Sequence, residues 1–333
     1  MEPVKPVASL SLDLDNAWSY LKTRGDTRWE SYPTYLAQVV PRALEALSRH
    51  ALRITVFVVG RDADQPEHGD ALASIPAAGH EVGNHSYRHE PWLHEYSEAE
   101  LDDELARTED AILRATGRVP DGFRGPGYSL SEPLLRVLVR RGYRYDASTL
   151  PTYLGPLARA LYFRQAQLDD EQRRQRAVLF GTFRDGRRPL KPYRWAVDGD
   201  ELLELPVTTF PGLRVPFHAS YLLTLAAKSP SMARLYLRAA LRACTATRVE
   251  PSILLHPLDF LGADDAPELA FFPGMGMSAP DKLRHLDDFL GVLATDFDVL
   301  PVGEHATRFA DRRLPVRAPD FRPQRGVSAG TVP

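Results

Sequence analysis

The stretch Glu81-Val82-Gly83-Asn84-His85-Ser86-Tyr87-Arg88-His89 reads as a short strand running into two histidines four residues apart. Near the start of the chain, Ser11-Leu12-Asp13-Leu14-Asp15 ends a second predicted strand, Val7 to Leu14, with two carboxylates. Side chains alternate along a strand, so Asp13 and Asp15 share a face. Two imidazoles on a helical turn plus one carboxylate supply three protein ligands to a divalent ion. The fourth position stays open to water, which points to hydrolysis rather than a structural metal. Each segment alone has an ordinary alternative: helix caps for Asp13 and Asp15, a solvated loop pair for His85 and His89. His80 and His94 fall outside the four-residue spacing and read as structural.

Working outward, Tyr35 to His50 carries a helical apolar stripe, and Arg53 to Val59 is a nearly continuous β-branched run suited to a buried strand. Asp70 to Ala78 reads as a helix ended by Gly79. Ser97 and Glu100 form a capping box that opens a helix to Thr116, with Gly117 just past its end. Gly122-Phe123-Arg124-Gly125-Pro126 is a strand end and tight turn, followed by a helix over Glu132–Arg141 and a strand from Tyr143. Ser252 to His256 returns to strand, Lys282 to Ala294 to helix, and Asp298 to Pro301 to a last strand. Alternation of this kind predicts a parallel sheet or barrel with helices outside, its chemistry at the carboxyl ends of the strands. Asp13, Asp15, His85, Arg124 and His256 all fall at such ends. Arg124, before a glycine-rich turn, can orient a carboxylate by bidentate hydrogen bonds, and the turn's N–H groups can stabilise an oxyanion. His256 can act as a general acid, or be a satisfied core histidine.

Composition narrows the classes. The chain has 333 residues, 44% of them hydrophobic, enough for one barrel-sized core, and a net charge of -3 that carries no nucleic-acid signature. The single cysteine, Cys244, excludes an internal disulfide framework and reads as a small buried hydrophobe. The N-terminus has no signal-peptide pattern and no run is long enough to span a bilayer, so a cytoplasmic address is expected. The strand–helix rhythm breaks from about residue 151 to 249, where a helical insertion is expected, with Glu201 to Val207 as a strand and Ser220 to Arg248 as one or two amphipathic helices broken near Ser229-Pro230. Residues 157–194 hold ten Lys/Arg against four Asp/Glu, an excess of six. A solvated surface is the plain reading. An acidic substrate handle, or peripheral membrane contact through Tyr153, Leu157, Leu161, Tyr162 and Phe163, is the sharper one. From residue 307 to 333 an Arg/Pro-rich extended tail is expected after a single domain over 1–306.

Four segments together resemble the polysaccharide deacetylase family, of NodB-homology or carbohydrate esterase 4 type: Ser11–Asp15, His85–His89, Arg124-Gly125-Pro126-Gly127-Tyr128 and Leu254-Leu255-His256. The resemblance covers about 7–150 well and 250–303 loosely. It implies a distorted (β/α) barrel, usually of seven strands, and metal-dependent removal of an acyl group, foremost N-acetyl, from an amino sugar on a glycan, lipid-linked or nucleotide-linked substrate. It further implies Asp13 as general base, Asp15, His85 and His89 as ligands of zinc or a similar ion, Arg124 as the group orienting Asp13, Gly127 N–H as oxyanion donor and His256 as acid. The Asp-x-Asp spacing is similar to intracellular branches and leaves open an exchange of roles between Asp13 and Asp15. The usual acidic partner of His256 is missing, with Glu204 as the candidate substitute. A deformylase or other amide hydrolase, or a non-catalytic glycan-binding module, are the alternatives.

Overall fold

The computed structural model describes residues 5–321, except 159, 161–167, 169, 176–178 and 180. Its sheet contains ten strands: β1 Val7–Leu14, β2 Thr55–Val58, β3 Glu81–Asn84, β4 Gly122–Phe123, β5 Tyr145–Asp146, β6 Tyr193–Val197, β7 Asp200–Glu204, β8 Ser252–Leu255, β9 Asp298–Leu300 and β10 Val316–Arg317. Seven of them run parallel in the order β8-β1-β2-β3-β4-β5-β7. This is the expected α/β barrel, but strand pairing does not close it. Between β7 and β8 a single residue bridges the seam: Thr208 N–H donates to Ser252 O at 2.9 Å, and Ser252 N–H donates to Thr208 Oγ1 at 2.8 Å.

Strand alternation sorts the side chains. Leu10, Leu12, Leu14, Val56, Val58 and Val82 point outward into one large core with the surrounding helices, including Leu36–Ser48 and Pro230–Thr247. The residues between them point inward. Phe57, Tyr145, Ala147, Leu203 and Leu205 form the barrel interior, and Val302, Ala306 and Phe309 plug its floor. The floor helix Val302–Thr307 is anchored by its own unsatisfied amides: Val302 N–H donates to Thr55 Oγ1 (2.7 Å) and Gly303 N–H to Glu81 Oε2 (2.8 Å). Only the upper end is left for chemistry.

Glycine makes room for the large interior rings. A Cβ at Gly122 would lie 2.0 Å from the Tyr145 ring, which is fully buried. Gly122→Ala is expected to cost about 2–3 kcal/mol by overpacking, read as a lower urea midpoint with an unchanged slope.

The stretch 151–249 is not simply a helical insertion. The strand expected over Glu201–Val207 is β7, the seventh parallel strand, and the unexpected β6 pairs antiparallel to it across the Asp198-Gly199 turn, where both residues have positive φ (50° and 96°). Asp-Gly between alternating residues is a hairpin signal, and Tyr193-Arg194-Trp195-Ala196-Val197 is such an alternation. The expected helices follow, Ala219–Ala226 and Pro230–Thr247, broken at Ser229-Pro230. Beyond Thr307 the chain stays in the fold over its described part, since Val316–Arg317 pairs parallel with β6. Leu161, Tyr162 and Phe163 lie outside the described residues, as do several arginines of the basic run. Among the described residues no helix is long and apolar enough to cross a membrane.

Candidate metal and catalytic site

The upper end of the barrel gathers the sequence-predicted residues. Asp15, one residue beyond β1, stands between the two imidazoles: its Oδ1 lies 2.9 Å from His89 Nε2 and 3.2 Å from His85 Nε2. All three side chains are buried. His85 Nδ1 lies 2.6 Å from the Arg124 carbonyl oxygen. A carbonyl only accepts, so Nδ1 carries the proton and Nε2 keeps its lone pair for the shared site. Burial pushes the Asp15 carboxyl up, but the charge of His89 and the hydrogen bonds from both imidazoles outweigh it and hold it well below the usual range. Burial likewise pushes His85 down, and the charge of Asp13 followed by Asp15 reverses this, raising it above the ordinary histidine value. A pocket that draws in positive charge this way suits a cation. One ligand atom from each of Asp15, His85 and His89 lies within 4.8 Å of the others, so the set fits one divalent ion with a position to spare.

The histidine pair does not sit on a helical turn, as the four-residue spacing suggested. His85 follows β3, and the chain bends back through Ser86 (φ 61°) and His89 (φ 51°), left-handed conformations unfavourable for these residues. Buried braces hold the bend. Asn84 Oδ1 accepts from Ser86 N–H at 2.8 Å, and Glu104 Oε2, from the helix Glu98–Thr116, accepts from Tyr87 and Arg88 N–H at 2.9 Å each. Asp62 serves β1 similarly, with its Oδ1 accepting from Asn16 Nδ2 (2.8 Å) and Trp18 Nε1 (2.9 Å). The Asn84 brace is local, whereas Glu104 and Asp62 reach partners 16 to 46 residues away and leave no local signal in the sequence. Of the extra histidines, His80 accepts from Ile54 N–H through Nδ1 (3.1 Å) and His94 pairs with Ser129 Oγ (2.8 Å), both structural contacts.

Asp13 faces the same pocket but belongs to Arg124. Arg124 Nη1 donates to Asp13 Oδ1 and to Ser11 Oγ, both at 2.7 Å, and Nε donates to Ala147 O at 2.9 Å. The contact to Asp13 uses one guanidinium nitrogen rather than the expected fork. The guanidinium is fully buried over the Phe57 ring, 4.4 Å from its centroid. The next turn is pinned by Gly125 N–H donating to Ser148 Oγ (2.8 Å) and Tyr128 N–H to Gly125 O (2.9 Å). Gly127 lies at its exposed tip with φ 57°.

His256 follows β8, and its partner is not Glu204. Glu204 accepts from Trp195 Nε1 (2.9 Å) and Thr149 N–H (3.0 Å). His256 instead meets Ser220 Oγ at 3.2 Å through Nδ1. Ser220 Oγ donates to Asp259 Oδ1 at 2.7 Å, and Asp259 Oδ2 accepts from His256 N–H at 2.8 Å. Asp259 lies only three residues from His256, at the spacing of a capping box, so that signal was available in the sequence.

Fold and site together define an α/β barrel with a carboxylate–imidazole cluster at the carboxyl ends of its parallel strands. Residues 26–145 match the family model for polysaccharide deacetylase. The chain is 30% identical over 111 residues to the peptidoglycan deacetylase of Helicobacter pylori, covering 33% of this chain and 37% of that protein. It is 31% identical over 106 residues to the peptidoglycan-N-acetylmuramic acid deacetylase PdaA of Bacillus subtilis (31% and 39%), and 31% identical over 115 residues to the chitin deacetylase of Colletotrichum lindemuthianum (34% and 46%). The chain thus spans less than half the length of these curated relatives. A crystal structure of a candidate polysaccharide deacetylase from Mycobacterium smegmatis shares the fold, with TM-score 0.61, 20% identity, and coverage of 97% of this chain and 99% of that one.

Proposed function

We propose that this protein is a metal-dependent hydrolase that removes the acetyl group from an N-acetylated amino sugar of a glycan. The observation that carries the reading is the division of labour between the two aspartates: Asp15 meets both imidazoles, while Asp13 is held by Arg124. In this reading Asp15, His85 and His89 hold the ion, which we take to be zinc from the carboxylate and imidazole donors. The ion, when bound, supplies Lewis-acid polarisation and acidifies water.

The protein's own groups do the rest. Asp13, oriented by Arg124, accepts the proton of the attacking water. Gly127 N–H at the tip of its turn donates to the developing oxyanion. His256, held by Ser220 and Asp259, donates a proton to the departing amine, which leaves as a neutral amino sugar. The names of the relatives, all deacetylases of peptidoglycan or chitin, support an acetylated glycan as substrate.

The test is acetate release from N-acetylated glycan fragments before and after dialysis against a chelator. Activity should vanish with the metal and return on adding a stoichiometric divalent ion. Acetate release that survives complete metal removal would overturn the metal-dependent reading. No release of acetate from any acetylated glycan would overturn the substrate class.

A further inference from the structure

One wall of this pocket comes from outside the matched stretch 26–145. Three residues at the start of the helix Ala219–Ala226 converge on it. Ser220 carries His256, as described. His218 occupies the N-cap position yet makes no capping bond, and its buried Nδ1 has no hydrogen-bond partner. Its ring lies 5.7 Å from that of His256 and 4.7 Å, edge to face, from that of Tyr221. Tyr221 is 43% exposed, a large aromatic face open to solvent beside the buried His218 ring.

We infer that this helix start is the sugar-recognition wall of the site, with His218 as a hydrogen-bonding group for a ring hydroxyl and Tyr221 as the surface against which the pyranose ring rests. The inference builds on the hydrolase reading above. A buried imidazole that neither caps its helix nor pairs with a neighbour has spare hydrogen-bonding capacity, and a ligand can use it. Burial first, then the neighbouring charges of His256 and Arg124, hold His218 well below the usual histidine range. A neutral imidazole offers one donor and one acceptor, which complements a hydroxyl rather than a phosphate or carboxylate. Tyrosine presents an apolar face with a polar tip, the match for the mixed surface of a sugar ring. Because Ser220 ties this turn to His256, a sugar held here lies beside the bond to be cut.

The test compares two substrates, N-acetylchitopentaose and 4-nitrophenyl acetate, with the parent protein and its His218→Ala, His218→Gln and Tyr221→Ala variants. For the glycan, kcat/KM should fall roughly tenfold or more in both alanine variants, while the ester, which has no sugar to hold, should fall less than about threefold. His218→Gln, which keeps a donor and an acceptor, should recover part of the loss. Parallel loss on both substrates, or no loss on the glycan, overturns the inference and leaves the hydrolase reading standing wherever the parent releases acetate. If the parent releases none, the hydrolase reading fails, and calorimetry with the pentaose decides the wall. Binding that Tyr221→Ala abolishes upholds it, and absence of binding overturns it.

Discussion

His89→Ala is expected to lower bound metal from about one ion per chain to a small residue, and acetate release by roughly a thousandfold. Elemental analysis and an acetate assay on the same preparation read both. The expectation follows from the way three ligand atoms converge. His89 Nε2 is the nearer of the two imidazole nitrogens to Asp15 Oδ1, and the bend that delivers it has been paid for by a left-handed backbone at His89 itself. Two remaining ligands, Asp15 and His85, cannot enclose an ion in a site that already draws on only three. His94→Ala, which removes a histidine from the same loop that bonds Ser129 instead, should retain the ion. Metal content unchanged in His89→Ala would sink the assignment of the cluster.

The second large effect is on stability. Arg124→Met should destabilise the fold by about 3–5 kcal/mol, because it leaves the Asp13 carboxylate buried without its counter-ion. Ser11 Oγ and the Ala147 carbonyl lose their donors at the same time. Urea unfolding of Arg124→Met, Asp13→Asn and the double variant separates the pair from its surroundings. The double variant should be more stable than the sum of the singles by at least about 1 kcal/mol, since removing the second charge relieves the stranding of the first. Additive losses would mean that Arg124 acts through packing on Phe57 and not through Asp13.

Legibility varied with the range of the interaction. The helix Glu98–Thr116 has its capping box at Ser97 and Glu100 and its left-handed Gly117 (φ 67°) where the sequence placed them, because caps are contacts within one turn. Helix Ala219–Ala226 and helix Pro230–Thr247 break at Ser229-Pro230 for the same kind of local reason. Strand β6 carries a local signal, the Asp198-Gly199 turn and the alternation of Tyr193, Trp195 and Val197, but it directly follows the basic run 157–194, whose charge obscures it. The partner of His256 is Asp259, three residues away, and not the Glu204 that the sequence suggests. Glu204 ends β7, and in the barrel it turns to Trp195 and Thr149, a direction that depends on how β6 and β5 flank it.

What the sequence determined by itself was the place of the candidate site residues at strand ends: Asp13, Asp15, His85, Arg124 and His256 are each within one residue of the carboxyl end of a strand. Strand period and turn chemistry are local, so they can be read along the chain. Which aspartate meets the imidazoles, and which meets the arginine, was decided only in three dimensions. Asp13 and Asp15 project to the same side of β1, and their fates diverge because Arg124 enters from β4 below the level at which the bend after β3 presents His89. The wall built by His218 and Tyr221 is likewise tertiary, since more than 90 residues of chain separate it from Arg124, and only the folded sheet, with β8 laid beside β1, brings them to one pocket.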